Sequence, residues 1–152
     1  MNQITKLAKI RETILKTLED VSLTDANKIA AGFNNNIAWN LGNIIVSQQN
    51  VLYKCAGCSL DIDEKYFPLY KAGTKPKQDI TDEEFISLKN IFKAQTQKML
   101  ADYEKNIFAN YKAWHHAMTG IDIDSADSAI AFLLFHESLH LGYIMALKRA
   151  IA

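Results

Sequence analysis

Two histidines four residues apart, His136 and His140, carry the sharpest chemical signal in the chain. On a helix they lie one turn apart on the same face, so two imidazoles can converge on one metal ion. The five residues His136-Glu137-Ser138-Leu139-His140 fit the zinc-peptidase pattern formally. No residue after His140 is a usual zinc ligand, which argues against a peptidase. Ala129, Phe132, Tyr143 and Leu147 share the stripe, so the pair sits on an apolar face. Buried imidazoles need partners, and a metal or a polar wall opposite would supply them. The plain alternative is two helix histidines satisfied by hydrogen bonds or solvent. Glu137 either orients a ligand histidine or faces away.

A candidate for the opposite wall lies far upstream. Asn36, Asn40, Asn43, Ser47 and Asn50 recur at steps of four and three, which puts them on one narrow stripe of a helix. Asn43 sits at its centre, directly after Gly42, where a missing side chain permits close approach. That stripe is either the wall facing the histidines or the helix's solvent face. Trp39 flanks it. Cys55-Ala56-Gly57-Cys58 is a single C-x2-C, the pattern of a redox pair or half a zinc site. With no second pair, it reads as two small residues at a helix end with Gly57 as the stop.

These residues need elements to position them. Ile4, Leu7, Ile14 and Leu18 mark an amphipathic helix over residues 3–20. Residues 35–53 form a second helix, apolar over most of its circumference. Residues 55–80 hold Gly57, Asp61, Asp63, Pro68, Gly73 and Pro76, all turn formers. That stretch is too long for a tight turn and suits a crossover, leaving the second and third helices parallel. Thr81 and Glu84 make a capping box that opens a third helix, ending at 103 or 108. An aromatic stretch with Phe108, Tyr111, Trp114, His115 and His116 follows, then a turn over 120–124. His115 and His116 read as surface residues that reach the pocket only if this segment folds over it. The fourth helix starts near Ser125 or Asp127 and runs to 151, nearly apolar all round and so expected to be buried. No strand alternation is visible. The pattern predicts an all-α fold: four helices around one core, in one domain spanning residues 1–152, with a crossover connection between helices 2 and 3.

Composition narrows the function classes. The 152 residues are 49% hydrophobic and 22% charged, ordinary for a globular domain. Seventeen Lys and Arg balance seventeen Asp and Glu, so no basic excess points to nucleic acid or to a polybasic membrane anchor. Two cysteines are too few for a disulfide-built scaffold. Residues 29–53 carry no charge and are long enough to span a bilayer, but their many Asn and Gln amides argue against it. The first residues lack a basic region followed by an apolar stretch, so a cytoplasmic protein is expected.

The segment Asn36-Ile37-Ala38-Trp39-Asn40-Leu41-Gly42-Asn43-Ile44-Ile45, followed far downstream by Phe135-His136-Glu137-Ser138-Leu139-His140-Leu141-Gly142-Tyr143-Ile144, resembles the DinB/YfiT-like superfamily. The resemblance covers the whole chain in order and length. It implies a four-helix bundle with a crossover, often a homodimer, and a divalent-metal site of three histidines suited to zinc or nickel. Two of those ligands carry over to His136 and His140. The third falls on position 43, which here is Asn43, so the triad is degenerate. An amide oxygen is a harder and weaker ligand than an imidazole. The resemblance also implies, for some members, transfer or isomerisation with a low-molecular-weight thiol as co-substrate. Two expectations follow. One is a thiol-dependent transferase-like enzyme whose pocket is lined by Trp39, Asn43, Ser47, His136, His140 and Tyr143, with Asn43 or water as the third contact. The other is a metal-free member serving as a small-molecule binding protein or a dimeric structural protein.

Overall fold

A computed structural model describes residues 1–152. Helix α1 (Gln3–Thr17) is capped by Asn2, whose side chain accepts from the Thr5 amide, and it buries Ile4, Leu7, Ala8, Arg11 and Ile14. A five-residue helix α2 (Leu23–Asn27), capped by Ser22, follows. Helix α3 (Ile37–Gln48) starts at its cap Asn36 and continues as a π-helical stretch, Gln49–Lys54. The connection to the next long helix is not wholly irregular. A 3-10 turn (Glu64–Tyr66) leads into a single-turn helix α4 (Phe67–Tyr70), with Pro68 in its first turn.

Helix α5 (Asp82–Glu104) opens on the complete Thr81–Glu84 capping box. Between α5 and the last helix, the aromatic stretch forms a small antiparallel hairpin, β1 (Trp114–His116) with β2 (Ile121–Ile123). Strands this short show no alternation to read in the sequence. The sequence signal that survives is Gly120, whose φ of +69° closes the turn. Helix α6 (Ala126–Ile151) is capped by Ser125 and Ser128.

The fold is mostly helical. Helix α6 packs on α1 and α3, and α5 packs on the same two. The apolar interior divides into two clusters. One holds Ile14, Ile44, Phe92 and Ile144; the other holds Leu7, Leu52, Met99 and Leu133. Burying each such side chain stabilises by about 1.5–3 kcal/mol. Between the clusters each long helix contributes buried polar residues: Arg11, Gln48, Gln95 and Glu137. The sequence reading placed α6 inside on all sides. Instead it leaves Phe135, Leu139, Tyr143 and Met145 at least 36% exposed along one face. It is also the one helix long and apolar enough to cross a membrane by length and composition.

Candidate functional site

The polar stripe of α3 is buried rather than solvated: Asn36, Asn40 and Asn43 are all less than 5% exposed. It faces the histidine stripe of α6. His140 Nδ1 lies 2.7 Å from Asn40 Oδ1. The orientation of the Asn40 amide is fixed by its other bonds, because its nitrogen donates to Asn35 Oδ1 and to the Asn36 carbonyl. Oδ1 therefore accepts, His140 carries its proton on Nδ1, and its Nε2 presents a bare lone pair. That Nε2 lies 3.2 Å from His136 Nε2.

Burial is the first cause that holds both rings neutral. The His136 pKa is pushed down to about 4, with His116 and Arg11 nearby adding to the shift. The His140 pKa is pushed down to about 3, with His136 adding. Near neutral pH the site thus offers two uncharged imidazoles. Two nitrogens about 2.0–2.1 Å from one tetrahedral ion stand about 3.3 Å apart, so their spacing fits a shared ion. The Asn40 contact is the outer support such a ligand uses. His136 Nδ1 is buried and has no hydrogen-bond partner.

Asn43 is only partly free. Its amide nitrogen donates to the Tyr70 carbonyl at 2.7 Å. Its oxygen accepts a long 3.5 Å bond from the Ser47 hydroxyl. Beside it, Gly42 carries the ring of Tyr70: a Cβ there would stand within 2.7 Å of Tyr70 Cε1. The Gly42–Asn43 pair is where the 55–80 connection is seated on α3.

The cleft over these groups has a volume of about 340 Å³. Trp39, Asn43, His136, His140 and Tyr143 all line it, together with Asn40 and Leu139. Ser47 does not line it. A smaller cavity of about 160 Å³, with Leu69, Tyr70 and Lys75 in its wall, lies on the other side of Trp39 and holds no histidine. The loop between the two is fastened by the Trp39 indole, which donates to Thr74 Oγ1 at 3.1 Å.

Glu137 faces away from the cleft. Its carboxylate takes three bonds from Arg11, and neither side chain is exposed. Burial raises its pKa against the pull of Arg11. It has no access to the cleft, so the formal peptidase pattern lacks its base. The hairpin does fold over the site, through Met118 in the cleft wall. His115 bonds Asp122, and His116 bonds Thr119 and packs on Phe132. Neither lines the cleft, and no group of three ligating side chains converges on a common point. Cys55 and Cys58 are free thiols that donate to the carbonyls of Asn50 and Ile107. They sit at the end of the π-helical stretch, beside Gly57 with φ of +71°.

Asn40 was legible as one residue of the stripe but not as the partner of His140; its place one turn from Asn43 was the signal. Met118 left none. Residues 6–144 match a family described as the DinB superfamily. No curated protein matches the chain.

Proposed function

The chain belongs to the DinB superfamily, and from that premise we propose that the α3–α6 cleft binds a divalent transition metal, zinc- or nickel-like, on His136 and His140. The observation that carries the reading is the 3.2 Å approach of two Nε2 atoms on rings that burial keeps uncharged. The packing of α1 and α3 against both α5 and α6 supports reading the fold as a four-helix bundle, with 55–80 as its crossover. When bound, the ion supplies a Lewis acid that stabilises a thiolate or polarises a small electrophile. The chain's own residues do the rest. Asn40 holds the His140 proton on Nδ1 and aims Nε2 at the cleft. Trp39, Leu139 and Tyr143 exclude water and seat the apolar part of a small molecule. Asn43 offers an oxygen where the resemblance implies an imidazole, so the remaining contacts fall to water or to an incoming ligand. A low-molecular-weight thiol suits that vacancy in the ligand set, and the activity is then a thiol-dependent transfer.

The amide of Asn43 favours a second reading. Its nitrogen is committed to the Tyr70 carbonyl, as a structural residue's would be. On that reading the protein binds a small molecule through Asn40, Asn43 and the neutral imidazoles, without metal.

Elemental mass spectrometry of tag-free protein separates the two. About one zinc or nickel per chain, lost in His136→Ala, supports the metal reading. No metal after incubation with either ion sinks it and leaves the binding protein.

A further inference from the structure

The cavity of about 160 Å³ across Trp39 from the histidine cleft takes no part in the chemistry above. Cavities of about 150 Å³ hold one benzene ring. Trp39 lends this one only the face of its ring, because its N–H is taken by Thr74. Leu69, Pro76 and Ile80 add apolar walls. The interior therefore suits a single ring or an apolar group of that size.

The polar groups around it are of both signs. Lys75, Lys77 and Glu84 line the cavity and are exposed, so they stand at its mouth. No ion pair of the chain uses any of the three. Glu84 closes its capping box through Oε2, which accepts from the Thr81 amide at 2.7 Å, and its Oε1 is left without a partner. Tyr70, only 7% exposed, lines the same cavity. Its hydroxyl makes no hydrogen bond in the chain and yet is not sealed from solvent. Burial, and then the neighbouring Glu84 charge, push its pKa up to about 12, so it stays a donor. The apolar hollow thus has two unpaired cations, a spare hydroxyl donor and a spare carboxylate oxygen around it.

We propose that this cavity binds a free α-amino acid with a single-ring side chain. The ring fills the hollow against Trp39 and Tyr70. The carboxylate accepts from Lys75, Lys77 and the Tyr70 hydroxyl, and the ammonium donates to Glu84 Oε1. An aromatic acid without the ammonium would meet Glu84 as a like charge, and an amine without the carboxylate would meet the two lysines so. The zwitterion answers both signs at once. The site is independent of the metal reading, because no histidine stands in its wall.

Calorimetry on metal-free protein tests it, with L-phenylalanine as the probe. Metal is removed because amino acids chelate the ions that the histidine cleft would hold. L-Phenylalanine should bind one site per chain with a Kd in the millimolar range or tighter. 3-Phenylpropionate, which lacks the ammonium, and L-phenylalaninamide, which lacks the carboxylate, should each bind about tenfold more weakly. Glu84→Gln keeps the capping box, since glutamine serves there too. It should weaken L-phenylalanine to the level of 3-phenylpropionate. Lys75→Gln with Lys77→Gln should weaken it to the level of the amide. His136→Ala should change nothing. The proposal is overturned if L-phenylalanine does not bind at millimolar concentration, or if either analogue binds as tightly as the amino acid. Binding lost in His136→Ala also overturns it, by placing the ligand in the histidine cleft.

Discussion

Glu137 follows His136 in the chain but points the other way, its Oε1 lying 2.7 Å from Arg11 Nη2 with neither side chain exposed. The pair sits between the two apolar clusters and ties α1 to α6, with the Arg11 guanidinium also over the Phe92 ring. Removing one partner strands a buried charge. Arg11→Met should cost about 3–5 kcal/mol, and the double variant with Glu137→Met should regain most of it. Urea unfolding of the three proteins measures this. A loss under about 1 kcal/mol in Arg11→Met would show that the pair contributes little.

The two neutral histidines make stability depend on pH. Their folded pKa values, about 4 and about 3, lie below the unfolded value of about 6.5. As pH falls below 6.5 the unfolded chain takes up protons that the folded chain refuses, so stability drops. The loss should be on the order of 1 kcal/mol per pH unit for each ring until the folded pKa is reached. Above pH 7 the effect vanishes. Urea midpoints at pH 7.5, 6 and 5 should fall in that order, and His136→Gln should flatten the trend. A constant midpoint across that range rules the account out.

Asn43→His adds a third imidazole to the lining of the cleft that holds the other two. Metal affinity should rise by orders of magnitude, read by cobalt(II) titration in the visible spectrum. The metal-free protein should lose about 1–3 kcal/mol, because the Tyr70 carbonyl loses its donor. Unchanged cobalt affinity would mean that position 43 does not face the pair closely enough to share an ion.

Gly42→Ala tests the seat of the 55–80 connection. The added methyl runs into the Tyr70 ring. Overpacking of this kind costs about 1–3 kcal/mol, more than the roughly 0.5–1 kcal/mol gained from replacing a helical glycine. Thermal unfolding should show a net loss. A gain would mean that Tyr70 swings aside freely.

The four long helices and the histidine pair were readable because each has a period or a spacing, whereas the short α2 and α4 have neither. The Thr81–Glu84 box is present as expected, and His136 and His140 do meet. Other features were not readable either. The π-helical stretch after Gln48 has no composition of its own. The hairpin strands are three residues long. And nothing local to Arg11 in α1 showed that Glu137, far along the chain, would answer it. Asn40 shows the limit best: the stripe put it on the correct face, while the choice between Asn40 and Asn43 as the histidine's partner depends on how far α3 slides along α6.

Arg11 and Glu137 are 126 residues apart in the chain. During synthesis at roughly 5–20 residues per second, the first helix waits on the order of ten seconds for its carboxylate. For that interval Arg11 stays with water, and the face of α1 that bears it has nowhere to dry. The buried ion pair of the finished fold cannot form until α6 has been made, so the charge on α1 is answered only after that helix arrives.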